Sequence, residues 1–197
     1  PGLIDHKVYA INPGSTFKLP QKKWEFEASS ENWWASSPVI GIDGIVYIIT
    51  SSGDVYALDT KGTKKWVYPS QRTRSSPVIG NDGSIYFISY DRGIVYALDS
   101  TGSKRWGIIT EDNVSYSPTL GDNGVLYYGT RNKSNGKKNK FYAIKTSSDG
   151  PADSHWPMNG QNAQRTRTAP SGPIIFTKQP DNALVKKGGR TSFSVDS

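Results

Sequence analysis

Apolar and polar positions along this chain switch every few residues, and no segment sustains a helical period. Within "DVYALD" (54–59) the alternation is that of a half-buried strand. The same reading of residues 36–69 predicts four strands. "SPVIG" is the first, and "DG" supplies a two-residue hairpin turn, because Asp and Gly tolerate positive φ. "IVYIIT" is the second. "VYALD" is the third, after the Gly-containing turn "SSGD", and "KKWVY" is the fourth, after "TKG".

This unit returns about every forty residues, marked in three ways. A Ser-Pro entry followed by a glycine hairpin occurs as "SSPVIGIDGIVYII" (36–49), "SSPVIGNDGSIYFI" (75–88) and "YSPTLGDNGVLYYG" (116–129). An aromatic-Ala-aliphatic strand occurs as "VYAI" at 8, "VYAL" at 55 and 95, and "FYAI" at 141. A basic residue or His precedes Trp24, Trp66, Trp106 and Trp156. Four antiparallel strands per repeat of this length predict the blades of an all-β propeller. The expected strands make about three and a half blades: a third and fourth strand near 7–11 and 22–28, full blades at 36–69 and 75–109, and a unit at 115–157 ending on Trp156.

Each marker has a physical reading. The Ala must be small because the next sheet packs close above it. The Asp bonds its own backbone in the turn, and the Gly accepts a left-handed conformation. The Trp lies flat between neighbouring blades. Burying one indole there removes on the order of 200 Å² from water, worth several kcal/mol at about 25 cal/mol per Å². The run Ala-x-Asp-x-x-Gly-x-x-x-Trp (Ala57, Asp59, Gly62, Trp66; Ala97, Asp99, Gly102, Trp106) resembles the tryptophan-docking motif of the PQQ-like repeat propellers. That family includes quinoprotein alcohol dehydrogenases and the BamB-type outer-membrane assembly lipoproteins. The spacing resembles the non-enzymatic branch, and the likeness covers about residues 7–168. It implies an exported bacterial protein, extracellular or on the cell surface. The outer copies, ending at Trp24 and Trp156, are looser. The last has no Asp two residues after Ala143.

Composition narrows the chemistry. The chain has 197 residues and no Cys, which excludes disulfides, thiolate metal sites and Cys nucleophiles. In particular it excludes the vicinal disulfide that resemblance to the quinoproteins implies beside their cofactor, so no cofactor is expected. His6 and His155 are the only histidines, and no Gly-x-Ser-x-Gly, Walker or HExxH motif occurs, so no catalytic residue is assigned. "GIDG", "GNDG" and "GDNG" read as hairpin turns rather than calcium loops, so no metal site is assigned. The net charge of +7 is scattered and reads as a soluble basic surface rather than a nucleic-acid footprint. No apolar run reaches the roughly 18 residues of a membrane span.

The segments that lead into each Ser-Pro vary, and they sit where a channel mouth is expected: "SENWWAS" (30–36), "SQRTRS" (70–75) and "EDNVSY" (111–116). Trp33, Trp34, Arg72, Arg74 and Tyr116 form an expected aromatic and basic rim for a protein partner or a glycan. After a linker at 169–172 the pattern changes. "PIIFTKQPDNALVKKGGRTSFSVDS" (173–197) resembles the opening of a bacterial immunoglobulin-like domain, carried by Pro173, Ile175, Gln179, Pro180, Val185, Gly188, Phe193 and Val195. It supplies about two of the seven or so strands a sandwich needs, so it reads as the start of such a domain or as an added-strand tail. The half ring has two readings. Further blades lie upstream in a longer polypeptide, or two copies close one ring. The expected function is a non-catalytic scaffold for protein–protein association, including self-assembly through open blade edges. The alternatives are a carbohydrate-binding module and the non-catalytic part of a larger propeller enzyme.

Overall fold

The structure is a computed structural model that describes residues 7–12, 19, 21–28, 36–110, 113–114, 116–131, 139–160 and 162. All regular elements among them are strands. A leading half-blade pairs β1 (Lys7–Asn12) with β2 (Gln21–Glu27). The first full blade runs β3 (Val39–Ile40), β4 (Val46–Ile49), β5 (Val55–Leu58) and β6 (Lys64–Tyr68), in that spatial order. The second runs β7 (Val78–Ile79), β8 (Ile85–Ile88), β9 (Ile94–Leu98) and β10 (Lys104–Ile109). A third blade has three strands, β11 (Thr119–Leu120), β12 (Val125–Gly129) and β13 (Phe141–Lys145). Every pairing is antiparallel. This is the meander of a partial β-propeller.

The hairpins are longer than the two-residue turns expected. Gly44 N–H donates to Gly41 O at 3.0 Å and Gly41 N–H to Ile45 O at 2.9 Å, with Gly44 at φ +76°. That is a four-residue turn whose last residue is left-handed. Asp43 therefore does not need positive φ; its Oδ1 accepts the Ile45 N–H instead. Asp82 and Asn123 do the same for Ser84 and Val125.

Two apolar layers lie between the blades. The first joins Tyr47, Ile49, Val55 and Ala57 to Ile85, Phe87, Tyr96 and Leu98, with Trp66 and Tyr68 against it. The second joins Tyr86, Ile88, Val95 and Ala97 to Leu120, Leu126 and Tyr128, with Trp106, Tyr142 and Ile144 against it. One face of each blade thus packs on the opposite face of the next, as period-two alternation demands.

The fourth unit departs from expectation. No fourth strand pairs with β13 among the described residues. The chain instead runs as a strap over residues 148–158 along the inner strands. Ile40 N–H donates to Trp156 O at 2.8 Å, Ile79 N–H to Pro157 O at 2.9 Å, and Ala152 N–H to Ile79 O at 2.8 Å. Ser148 Oγ donates to Asn81 Oδ1 at 2.7 Å, and Met158 is buried in the second apolar layer. The strap satisfies inner-edge backbone groups of β3 and β7 that would otherwise lack partners. Trp156, expected as a docking residue on an outer strand, is therefore placed against β3.

Candidate partner-binding surface

The docking residues set the geometry on which any surface rests. Trp24 and Trp66 each reach the following blade. Trp24 Nε1 donates to Thr60 O and Trp66 Nε1 to Ser100 O, both at 3.0 Å. Each indole lies over a glycine. A Cβ built on Gly62 would stand 2.7 Å from the Trp24 ring, and one on Gly102 would stand 2.7 Å from that of Trp66. Gly62 and Gly102 also have φ of +81° and +87°. The glycine thus answers two demands, a left-handed turn and the room for a ring. Trp106 has no such glycine beneath it among the described residues; its ring lies 5.7 Å from Tyr86.

Asp59 Oδ1 accepts the N–H groups of Lys61 and Thr63, and Asp99 Oδ1 those of Thr101 and Ser103. The Thr63 N–H holds the Asp59 carboxyl below the usual aspartate range, and the Thr101 hydroxyl does so for Asp99. Ala57 lies in register between Tyr47 and Trp66, and Ala97 between Tyr86 and Trp106. In each row the two rings approach to 5.7 Å, closer than strands two apart, so they lean over the alanine. The small residue is demanded by rings of its own sheet and not only by the next one. Burial pushes the Tyr47 hydroxyl up to about 12, with Asp43 adding to the shift.

A feature missed in the sequence lies just before each tryptophan. Ala57 pairs with Trp66 while Leu58 pairs with Lys64, so Lys65 is an extra residue. Arg105 and Lys23 stand in the same place before Trp106 and Trp24. The bulge bends the outer strand and aims the indole at its neighbour. The recurring basic-Trp pair was its signal.

At the expected rim, Arg72 and Arg74 are exposed and stand over Tyr90, with Cζ 6.0 and 4.6 Å from the ring centroid. Arg74 and Tyr116 line one cleft of about 730 Å³ with Ser76, Tyr127, Phe141 and Asn159. Arg72 is outside that lining. Trp33 and Trp34 lie outside the described residues, as do His6, the linker and the tail from 173. A second cleft of about 610 Å³ holds Tyr9, Trp24, His155 and Trp156.

The two serines of each entry motif have separate tasks. Ser36 Oγ and Ser75 Oγ accept the N–H of Ile49 and Ile88 in their own blades. The second serines link blades: Ser37 N–H donates to Ser76 Oγ at 2.9 Å, and Ser76 N–H to Ser117 Oγ at 2.8 Å. The third blade breaks the first pattern. Tyr116 replaces the serine and Gly129 the isoleucine, and both line the cleft.

These features decide the family. A model of the outer membrane protein assembly factor BamB matches residues 18–150. The chain belongs to the BamB family. BamB from Moraxella catarrhalis superposes with a TM-score of 0.53 at 21% identity, over 76% of this chain and 45% of that one. A quinohemoprotein alcohol dehydrogenase from Pseudomonas putida HK5 gives a TM-score of 0.50 at 21% identity, over 61% of this chain and 20% of that one. The chain spans less than half the length of either structure, and at this identity the likeness is one of fold. No curated protein matches the chain. No helix among the described residues is long and apolar enough to cross a membrane.

Proposed function

We propose that this chain is a non-catalytic scaffold for protein–protein association on an exported bacterial protein, acting outside the cell or at its surface. One observation carries the reading. Phe141 is 58% exposed on β13, where Val55 and Val95, at the same place in the two full blades, are completely buried. An aromatic held on a rigid sheet beside exposed Tyr116 is the material of an interface anchor. Membership in a family described by an assembly factor supports the same class of role. The division into a propeller part (1–168), a linker and an immunoglobulin-like or added-strand segment (173–197) belongs to this proposal.

The cleft favours a second reading, recognition of a carbohydrate. Arg74 makes no ion pair among the described residues, and Tyr116 presents an exposed ring beside serine hydroxyls. A photoreactive side chain at position 141 separates the two readings. The scaffold predicts transfer to a polypeptide and no retention of the protein on polysaccharides. Retention that Arg74→Ala and Tyr116→Ala both abolish, without polypeptide transfer, would replace it with the second reading.

A further inference from the structure

The loops at the end of the blades away from the Asp59 and Asp99 turns carry arginines that the repeat does not require. Thr73 is 1% exposed; its hydroxyl donates to Ile88 O at 2.6 Å, and its backbone bridges Ser89. Residues two apart in extended chain share a side, so a buried Thr73 sends Arg72 and Arg74 out together, over the Tyr90 ring. Tyr90 is tied down in turn. Its N–H donates to Arg72 O at 2.6 Å, and its carbonyl accepts the Val114 N–H at 3.2 Å. Asn113 O accepts the Arg131 N–H at 2.8 Å. This chain of bonds crosses from one loop to the next and holds Arg72, Arg74, Arg92 and Arg131 at one end of the blades. At the entry to the third blade Asn113 and Ser115 stand where Arg72 and Arg74 do, so the fold itself does not demand arginine there.

All four arginines are exposed, and none makes an ion pair among the described residues. Of the carboxylates on the described part of these loops, Asp54 accepts the Ser52 hydroxyl at 2.9 Å and Asp91 is exposed. Glu111 and Asp112 lie outside the described residues. Two like charges drawn to one ring repel each other. A carboxylate between them replaces that repulsion with charge-assisted, forked hydrogen bonds. The guanidiniums already occupy the Tyr90 ring, so it is not free to stack a nucleic-acid base. Ile109 is 57% exposed and ends the outer strand beside the Arg92 turn, where the Thr110 N–H donates to Gly93 O at 3.3 Å. An apolar side chain at this border suits a polypeptide and offers a sulfated polysaccharide nothing.

We infer that this arginine surface binds an acidic polypeptide segment, whose aspartate or glutamate carboxylates bridge Arg72 and Arg74 and reach Arg92 and Arg131. The inference rests on the scaffold reading and names the chemistry of its partner. The surface is built from the entry and turn loops of the second and third blades alone. Net charge of +7 draws any polyanion, so the inference concerns where the acidic chain is held, and added salt weakens the contact.

The test is the affinity of fluorescein-labelled polyglutamate for residues 1–197, read by anisotropy across a salt series. Arg72→Gln combined with Arg74→Gln keeps exposed polar side chains and the strand circular dichroism of the parent. It is expected to weaken binding at least about tenfold at physiological salt. Arg72→Lys combined with Arg74→Lys keeps the charge and loses the fork, so it weakens binding as well. Lys61→Gln combined with Lys64→Gln removes the same charge from exposed positions at the other end of the first full blade and leaves the affinity unchanged. Three results overturn the inference: a parent that does not bind, a lysine pair whose loss matters as much as the arginine pair, or arginine-dependent binding that is tighter for dextran sulfate or single-stranded DNA. Photo-transfer from position 141 reports on the scaffold reading separately. Transfer to a polypeptide that persists in those cases leaves the scaffold standing, with its contact elsewhere.

Discussion

The second full blade and the third share a plan and differ in what completes it. In the second blade, Val78, Tyr86, Ala97 and Trp106 make one unbroken cross-strand row, and every residue of β9 is buried. In the third blade, Thr119, Tyr127 and Ala143 begin the same row, and nothing among the described residues ends it. The first two blades carry Ser36 with Ile49 and Ser75 with Ile88; the third carries Tyr116 with Gly129. A repeat that changes at paired positions in one copy shows where packing gives way to surface.

The contrast is broken most severely at the plates. Trp66→Ala removes an indole, its bond to Ser100 O and the cover of Gly102, and is expected to cost about 3 kcal/mol or more in chemical denaturation. Phe141→Ala, on the open face, should stay within about 0.5 kcal/mol for the isolated chain. Equal losses at the two positions would mean that the third blade is as covered as the second.

Next comes the alanine row. Ala97→Leu forces extra carbons beneath the Tyr86 and Trp106 rings, at an expected cost of about 1–3 kcal/mol. Ala143→Leu has no such pair of rings above it and should cost much less. Thermal melts of both variants give the comparison directly.

Acid sharpens the difference further. The Asp59 and Asp99 carboxyls are held below the ordinary aspartate value of 3.8 in the folded chain. Their contribution is present in full above that value and is lost as pH falls through the lower folded values. The third blade has Lys145 at the matching place. Protection of the Lys61, Thr63, Thr101 and Ser103 amides, relative to their intrinsic exchange rates, should therefore fall as pH drops below 3.8, while the amides that follow Lys145 show no matching step.

The smallest effect is expected at Gly129. A Cβ there meets only Lys140 O, at 4.0 Å, so Gly129→Ile restores the residue of the other blades within about 0.5 kcal/mol. It should nevertheless narrow the cleft beside Tyr116. A large loss of stability in melts would show that the space is already filled.

Much of this was legible in the chain itself. Strand order, turn positions and the Asp-x-x-Gly-x-x-x-Trp plates follow from local chemistry: a carboxylate that caps two amides, a glycine that alone tolerates φ near +80°, and an indole too large to leave in water. These demands act within one turn or one strand pair, so they recur wherever the residues recur. The basic residue before each tryptophan was visible as well, but its role as a bulge depends on the register of two strands.

What only the tertiary structure decided is where each element finds its cover. "SHWPMNG" (154–160) carries the same basic-Trp signature as an outer strand, yet its backbone bonds to β3 and β7 because their inner edges offer unpaired groups and the loop from β13 leads there. Likewise Phe141 holds the place of Val55 and Val95 in the repeat, yet it is exposed where they are buried. A blade face becomes buried only when another blade lies on it, and that depends on the path of the whole chain, not on the alternation within any strand.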